Sequence, residues 1–131
     1  MPTRYHCPVE LAVDVLGGKW RSVILAHLKE GVHRYGELRR RMPGISEKML
    51  TQRLHELEAD GLVVRDDHAT TPPHVEYRLT GEGLSLAPVL QALYDWGAGR
   101  AARTGIAIDE GIVRVHDRDR PAVSDPAVSA E

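Results

Sequence analysis

Phenylalanine is missing from this 131-residue chain, and aromatic residues make up only 5% of it. Leu, Val, Ile and Ala must therefore build the core, which favours helices over a β-sandwich. A single cysteine, Cys7, excludes an internal disulfide framework. No apolar run approaches the ~20 residues of a membrane-spanning helix. The stretch Met1 to Cys7 lacks the apolar segment of a secretion signal, so the expected location is the cytoplasm, with no membrane partner. There is no Gly-rich phosphate loop, no paired His or carboxylate motif, and no nucleophile with an evident base. The sequence thus gives no sign of an enzyme and leads to no expectation of a cofactor or bound metal. At 42% hydrophobic it fits one folded domain, residues 1–105, followed by a flexible acidic tail, 106–131.

The net charge of −2 argues at first against a nucleic-acid partner, but its distribution reverses that. Residues 19–53 carry nine basic groups against three acidic ones, whereas residues 106–131 carry six acids against three arginines. Local sign, rather than the total, governs contact with phosphates.

Helical periodicity starts at Pro8 and runs to about Leu16, with Leu11 and Val15 one turn apart on the expected inner face, and Gly17-Gly18 stops it. A second helix spans about Lys19 to Lys29, a third about Tyr35 to Met42, broken by Pro43-Gly44. Ser46 is placed to cap a fourth, which ends near Asp60-Gly61. The β-rich runs 62–65 and 75–79 follow, joined by a polar loop, 66–74. Thr80 then caps a helix predicted over about 81–103, with Pro88 either kinking it or marking where a short helix meets a longer one. The expected class is mainly α with a small β-hairpin: a helix-turn-helix followed by a wing, a shape suited to duplex DNA.

Seven runs, in order, strengthen this: Cys7-Pro-Val-Glu, Leu16-Gly-Gly-Lys-Trp, Ile24-Leu-Ala-His-Leu, Tyr35-Gly-Glu-Leu, Pro43-Gly-Ile-Ser-Glu-Lys-Met-Leu-Thr-Gln-Arg-Leu, Leu57-Glu-Ala-Asp-Gly-Leu-Val and Tyr77-Arg-Leu-Thr-Gly-Glu-Gly. Across about residues 6–100 the chain resembles the HxlR-type branch of the MarR-like winged helix-turn-helix transcriptional regulators. The resemblance implies a bacterial homodimer, joined through its terminal helices, that binds inverted-repeat operators in double-stranded DNA. Some members sense electrophiles or oxidants through a cysteine near the N-terminus, which makes an oxidant or small molecule a candidate effector.

In the fourth helix Met49, Leu50, Leu54 and Leu57 form the expected buried face, and Glu47, Lys48, Thr51, Gln52 and His55 the opposite one. Gln can pair with adenine through two hydrogen bonds, Lys can reach guanine or phosphate, and Thr can touch a thymine methyl. Ser46 and Arg53 complete the recognition-helix candidates. Glu47 fits poorly beside phosphates unless it accepts from a cytosine or points away. Arg34, Arg39 and Arg40 are candidates for backbone contact, although cations at 39–41 also suit a helix C-terminus. For Lys19 and Arg21 a phosphate contact and an ordinary structural role stand level.

The loop 66–74 is the expected wing tip, with Thr70, Thr71, His68 and His74 suited to phosphate or the minor groove, Arg65 and Arg78 as anchors, and Asp66 and Asp67 as repulsive neighbours. His68, His74 and the two Asp match no compact ligand spacing, so a solvated loop is preferred to a metal site. Arg4 and His6 flank Cys7 and favour a reactive thiol, while free cysteine is also often a small buried hydrophobe. Leu11, Leu86, Leu90, Leu93 and Trp96 are the candidate dimer interface, because they exceed what so small a domain needs for its own core. Trp20 is most simply a core residue. The alternative to a DNA-binding regulator, expected to be a repressor, is a winged helix used as a protein-interaction module.

Overall fold

The computed structural model describes residues 3–31, 33–72 and 74–109. Residues 110–131, most of the expected acidic tail, lie outside the described residues.

The first helix, α1, spans Pro8–Leu16. The Cys7 thiol accepts from the Val9 amide at 3.4 Å, and the Glu10 carboxylate returns to the Cys7 amide at 3.2 Å, so both groups satisfy amides that a helix start leaves open. Gly17 ends α1 in the left-handed conformation (φ 70°) and lets α2, Gly18–Lys29, turn away at once. Gly17 also lies against Arg21, where a Cβ would stand 2.1 Å from Nε. The helix-turn-helix is α3, Tyr35–Arg40, and α4, Glu47–Ala59. Ser46 caps α4 as expected, its hydroxyl accepting from the Met49 amide at 3.0 Å.

The wing is β2, Val63–Asp67, paired with β3, Val75–Leu79. A third strand, β1, His33–Arg34, pairs with β3 on its other side, giving the order β1-β3-β2. Two residues carry no readable periodicity, so this strand is absent from the sequence expectation. Asp66 and Asp67, expected in the loop, are strand residues.

Thr80 caps a short helix, α5, Gly81–Leu84, and Pro88 falls in the first turn of a separate α6, Ala87–Thr104. Of the two outcomes open for Pro88, a short helix meeting a longer one is the one that occurs. Gly83 makes that junction tight: a Cβ there would meet the Leu62 carbonyl at 2.2 Å.

The core joins Ile24, Leu25 and Leu28 of α2, Leu38 and Met42 around α3, Leu50, Leu54 and Leu57 of α4, Tyr77 and Leu79 of β3, and Leu90 of α6. Three expectations change here. Met49 is half-buried at the margin of the α4 inner face. Leu11 is 43% exposed, and α1 has no buried residue, so α1 gives little of its apolar surface to this core. Leu90, assigned to an interface, is 3% exposed and belongs to the core of its own chain, with Leu86 packed against that core.

Candidate nucleic-acid interface

Burying Leu50, Leu54 and Leu57 turns the other side of α4 outward, and Glu47, Lys48, Thr51, Gln52 and His55 are all exposed there. With Tyr35 they line an open groove along the helix. Tyr35 fixes α3 against this face, since its hydroxyl donates to the Glu47 carbonyl at 3.1 Å and lies 3.2 Å from the Thr51 hydroxyl. Glu47 no longer needs a base to explain it: its carboxylate accepts from Arg39 at 3.2 Å, so each charge is partly screened by the other. Arg40 is exposed beside them, and Ser46 is exposed but used as the helix cap.

Several cations counted as available from sequence have intrachain partners. Arg21 is buried, with a side chain 9% exposed; its Nη2 donates to the Val15 carbonyl at 2.8 Å and to Asp60 at 2.8 Å, and its Nη1 lies 3.6 Å from Glu56. The phosphate role is therefore withdrawn, and Arg21 is an internal clamp between the α1–α2 junction and the end of α4. Arg53 pairs with Glu56 and leans on the Met49 sulfur at 3.5 Å, which ties it to α4 itself. Lys29 pairs with Glu30 at 2.8 Å. Lys19 stays exposed, its ammonium 4.4 Å from the Trp20 ring centre, and Trp20 is half-buried against the core.

On the wing, Arg78 donates to Asp66 at 2.8 Å and Arg65 lies 3.8 Å from Asp67, so the expected repulsion is largely answered within the sheet. Asp67 also accepts from the Ala69 amide at 2.9 Å and shapes the loop. Thr70 and Thr71 are exposed at the tip. His68, His74 and Glu76 come together: His74 Nε2 is 2.7 Å and His68 Nε2 3.3 Å from the Glu76 carboxylate, and Arg34 reaches His74 Nδ1 at 2.8 Å. The hydrogen bond from His74 is the main reason the Glu76 carboxyl is held below its ordinary range, with His68 adding to it against desolvation. Sequence inspection missed Glu76 because it paired the histidines with the nearby aspartates.

Cys7 is exposed in the single chain, in a surface hollow with Arg4, His6 and Val13, and is not part of that chain's own core. Exposed apolar side chains concentrate on α1 and α6: Val9 at 65%, Val13 at 58%, Leu93 at 50% and Trp96 at 64%.

A helix-turn-helix with its second helix turned outward and the β2–β3 wing beside it is the fold of the winged-helix transcription regulators. The chain belongs to the HxlR-like helix-turn-helix family, whose sequence pattern matches residues 15–104. It is 49% identical over 100 residues to the HTH-type transcriptional regulator YtcD of Bacillus subtilis, covering 76% of this chain and 79% of that one. The redox regulator HypR in its reduced form superimposes with a TM-score of 0.71 at 40% identity, covering 77% of this chain and 100% of HypR. Diamide-treated YodB from B. subtilis gives a TM-score of 0.60 at 37% identity, over 73% and 96% of the two chains. The protein is thus a transcriptional regulator of the helix-turn-helix type and not an enzyme. No helix among the described residues is long and apolar enough to cross a membrane.

Proposed function

We propose that the protein is a homodimeric repressor that reads an inverted-repeat operator in double-stranded DNA and answers oxidants or electrophiles through Cys7. The observation that carries the DNA reading is the outward face of α4, where Lys48, Thr51, Gln52 and His55 stand exposed on a helix held from behind by the core. Gln52 and Thr51 suit base edges, and Lys48 suits guanine or phosphate. Arg34, Arg39, Arg40, Thr70, Thr71 and Arg78 would flank them along the backbone, with Arg53 and Ser46 holding α4 in shape.

The dimer is supported by the exposed apolar side chains of α1 and α6, with Leu11, Leu93 and Trp96 as its centre and Leu86 at its margin. Two copies would place their reading helices in successive major grooves, roughly 34–36 Å apart. An exposed Cys7 at the start of α1 would lie at that interface, where an intersubunit disulfide or a mixed disulfide with a small thiol would alter helix spacing. Its work is then in the cytoplasm, where the operator lies.

The test is to incubate the purified protein, reduced and diamide-treated, with fragmented genomic DNA and sequence what stays bound. Enrichment of an inverted repeat that Gln52→Ala relaxes at defined positions fits the proposal. Equal operator binding by Gln52→Ala would remove the base-reading assignment, and an unchanged binding curve after verified oxidation would remove Cys7 as the sensor. A family resemblance fixes the fold, whereas these measurements address the site.

A further inference from the structure

The outer face of the wing gathers a set of side chains that the DNA-reading proposal does not use. Asp67 pairs with Val75 in the β2–β3 register, and the His68 amide continues the ladder by donating to the His74 carbonyl at 2.9 Å. This sets His68 opposite His74, and the two-residue repeat of a strand puts Glu76 on the same face as His74. The imidazole rings meet edge to face with centres 4.8 Å apart. One ligand atom from each of His68, His74 and Glu76 lies within 4.8 Å of the other two.

We propose that this triad is a binding site for a divalent transition-metal ion of the zinc class. Two imidazole nitrogens and a carboxylate oxygen are borderline ligands that suit Zn²⁺ better than Ca²⁺ or Mg²⁺. At metal–ligand distances of about 2.0–2.2 Å, ligands of a tetrahedral ion stand about 3.3 Å apart. His68 Nε2 already has that spacing from Glu76 Oε1, and His74 Nε2 lies 2.7 Å from Oε2, so closing the site asks the side chains to turn until one ion meets both nitrogens and the carboxylate. Three protein ligands leave a fourth position for water.

The site has a built-in competitor. A guanidinium only donates, so the 2.8 Å contact from Arg34 makes His74 Nδ1 an acceptor and puts the ring proton on Nε2, facing Glu76. For Nε2 to ligate, that proton must move through water to Nδ1, leaving a neutral ring, while the ion gives up bound water for nitrogen. The Arg34 hydrogen bond breaks in the exchange, so Arg34 and the ion compete for His74.

Titration of the full chain with zinc chloride by isothermal calorimetry, and with cobalt chloride by visible absorption, tests this. One ion per chain is expected at micromolar concentration, with a cobalt spectrum of nitrogen and oxygen ligands and none of the charge-transfer bands of a thiolate. His68→Ala and His74→Ala, at exposed or half-exposed positions, should keep the helical circular dichroism and each weaken binding more than about tenfold. Arg34→Ala should tighten it, a response that a merely structural wing would not give. Binding that persists in the His68→Ala/His74→Ala double variant, binding lost instead in Cys7→Ser or His6→Ala, or no binding at micromolar metal would overturn the proposal. The ion is titrated without DNA, so the outcome is independent of operator recognition.

Discussion

Replacing Arg21 by methionine separates the two roles that its sequence position allows, a phosphate contact and an internal clamp. Methionine keeps an apolar stem against Gly17 and removes the guanidinium. Breaking a fully buried ion pair from one side costs about 3–5 kcal/mol. Here Glu56 and Asp60 are 34% and 37% exposed, so water can rehydrate both, and Glu56 still has Arg53. What is lost without replacement is mainly the charged hydrogen bond to the Val15 carbonyl, a class of bond that contributes about 1.5–3 kcal/mol. The expected destabilisation is therefore about 2 kcal/mol, or about 8–16 °C in Tm for a domain of this size. Thermal unfolding by circular dichroism should be compared at one protein concentration, because the proposed dimerisation would make the Tm move with it. Fluorescence anisotropy on a duplex fragment, repeated over a salt series, supplies the second readout. The clamp predicts a lower Tm with the salt slope intact. An unchanged Tm with the slope reduced by about one would refute the clamp and restore the phosphate role.

Gly83→Ala should destabilise by about 3 kcal/mol, because its Cβ meets the Leu62 carbonyl rather than a side chain that can move; urea unfolding within a few tenths of wild type would contradict the packing argument. Glu47→Gln should leave stability within about 0.5 kcal/mol, since its bridge to Arg39 is exposed, but should raise affinity for random duplex by freeing Arg39. Weaker binding measured by anisotropy would instead favour a base contact for Glu47. His33 is buried, and desolvation holds its pKa below the ordinary value; Arg41 acts in the same direction, against the hydrogen bond to the His27 carbonyl and the charges of Glu37 and Glu30. The unfolded chain therefore takes up this proton at a higher pH than the folded one, so the His33 contribution is present above about pH 6.5 and falls as pH drops towards the folded value. A His33→Gln variant that shows the same loss of stability as wild type between pH 7 and about 5.5 would rule His33 out as its source.

Much of the fold could be read from local pattern, because its signals are local. Ser46 and Thr80 cap the helices they precede, Gly17 ends α1, and the apolar spacing of Leu50, Leu54 and Leu57 fixes which side of α4 faces out. Strand β1 was not legible, since two residues have no period and are strand only because β3 offers them an edge. Charge was the other failure, with a physical reason. The basic excess of residues 19–53 treats every cation as available, yet Arg21 finds Asp60 from 39 residues away, and Lys29, Arg39 and Arg53 find Glu30, Glu47 and Glu56. The wing shows the same effect: sequence proximity joins His68 to Asp67, whereas strand alternation joins it to His74 and Glu76 and gives Asp66 to Arg78. Helical period and capping survive folding because they act within one turn, whereas the partner of a charge such as Arg21 or Asp66 is chosen by the packing and register of separate elements; Lys29 with Glu30 and Arg53 with Glu56 are local pairs, one to three residues apart, that a count of charges ignores. The positive surface that the proposed operator contact needs is therefore a product of the topology, and a mutation at Asp66 should reshape it by freeing Arg78 without touching a single basic residue.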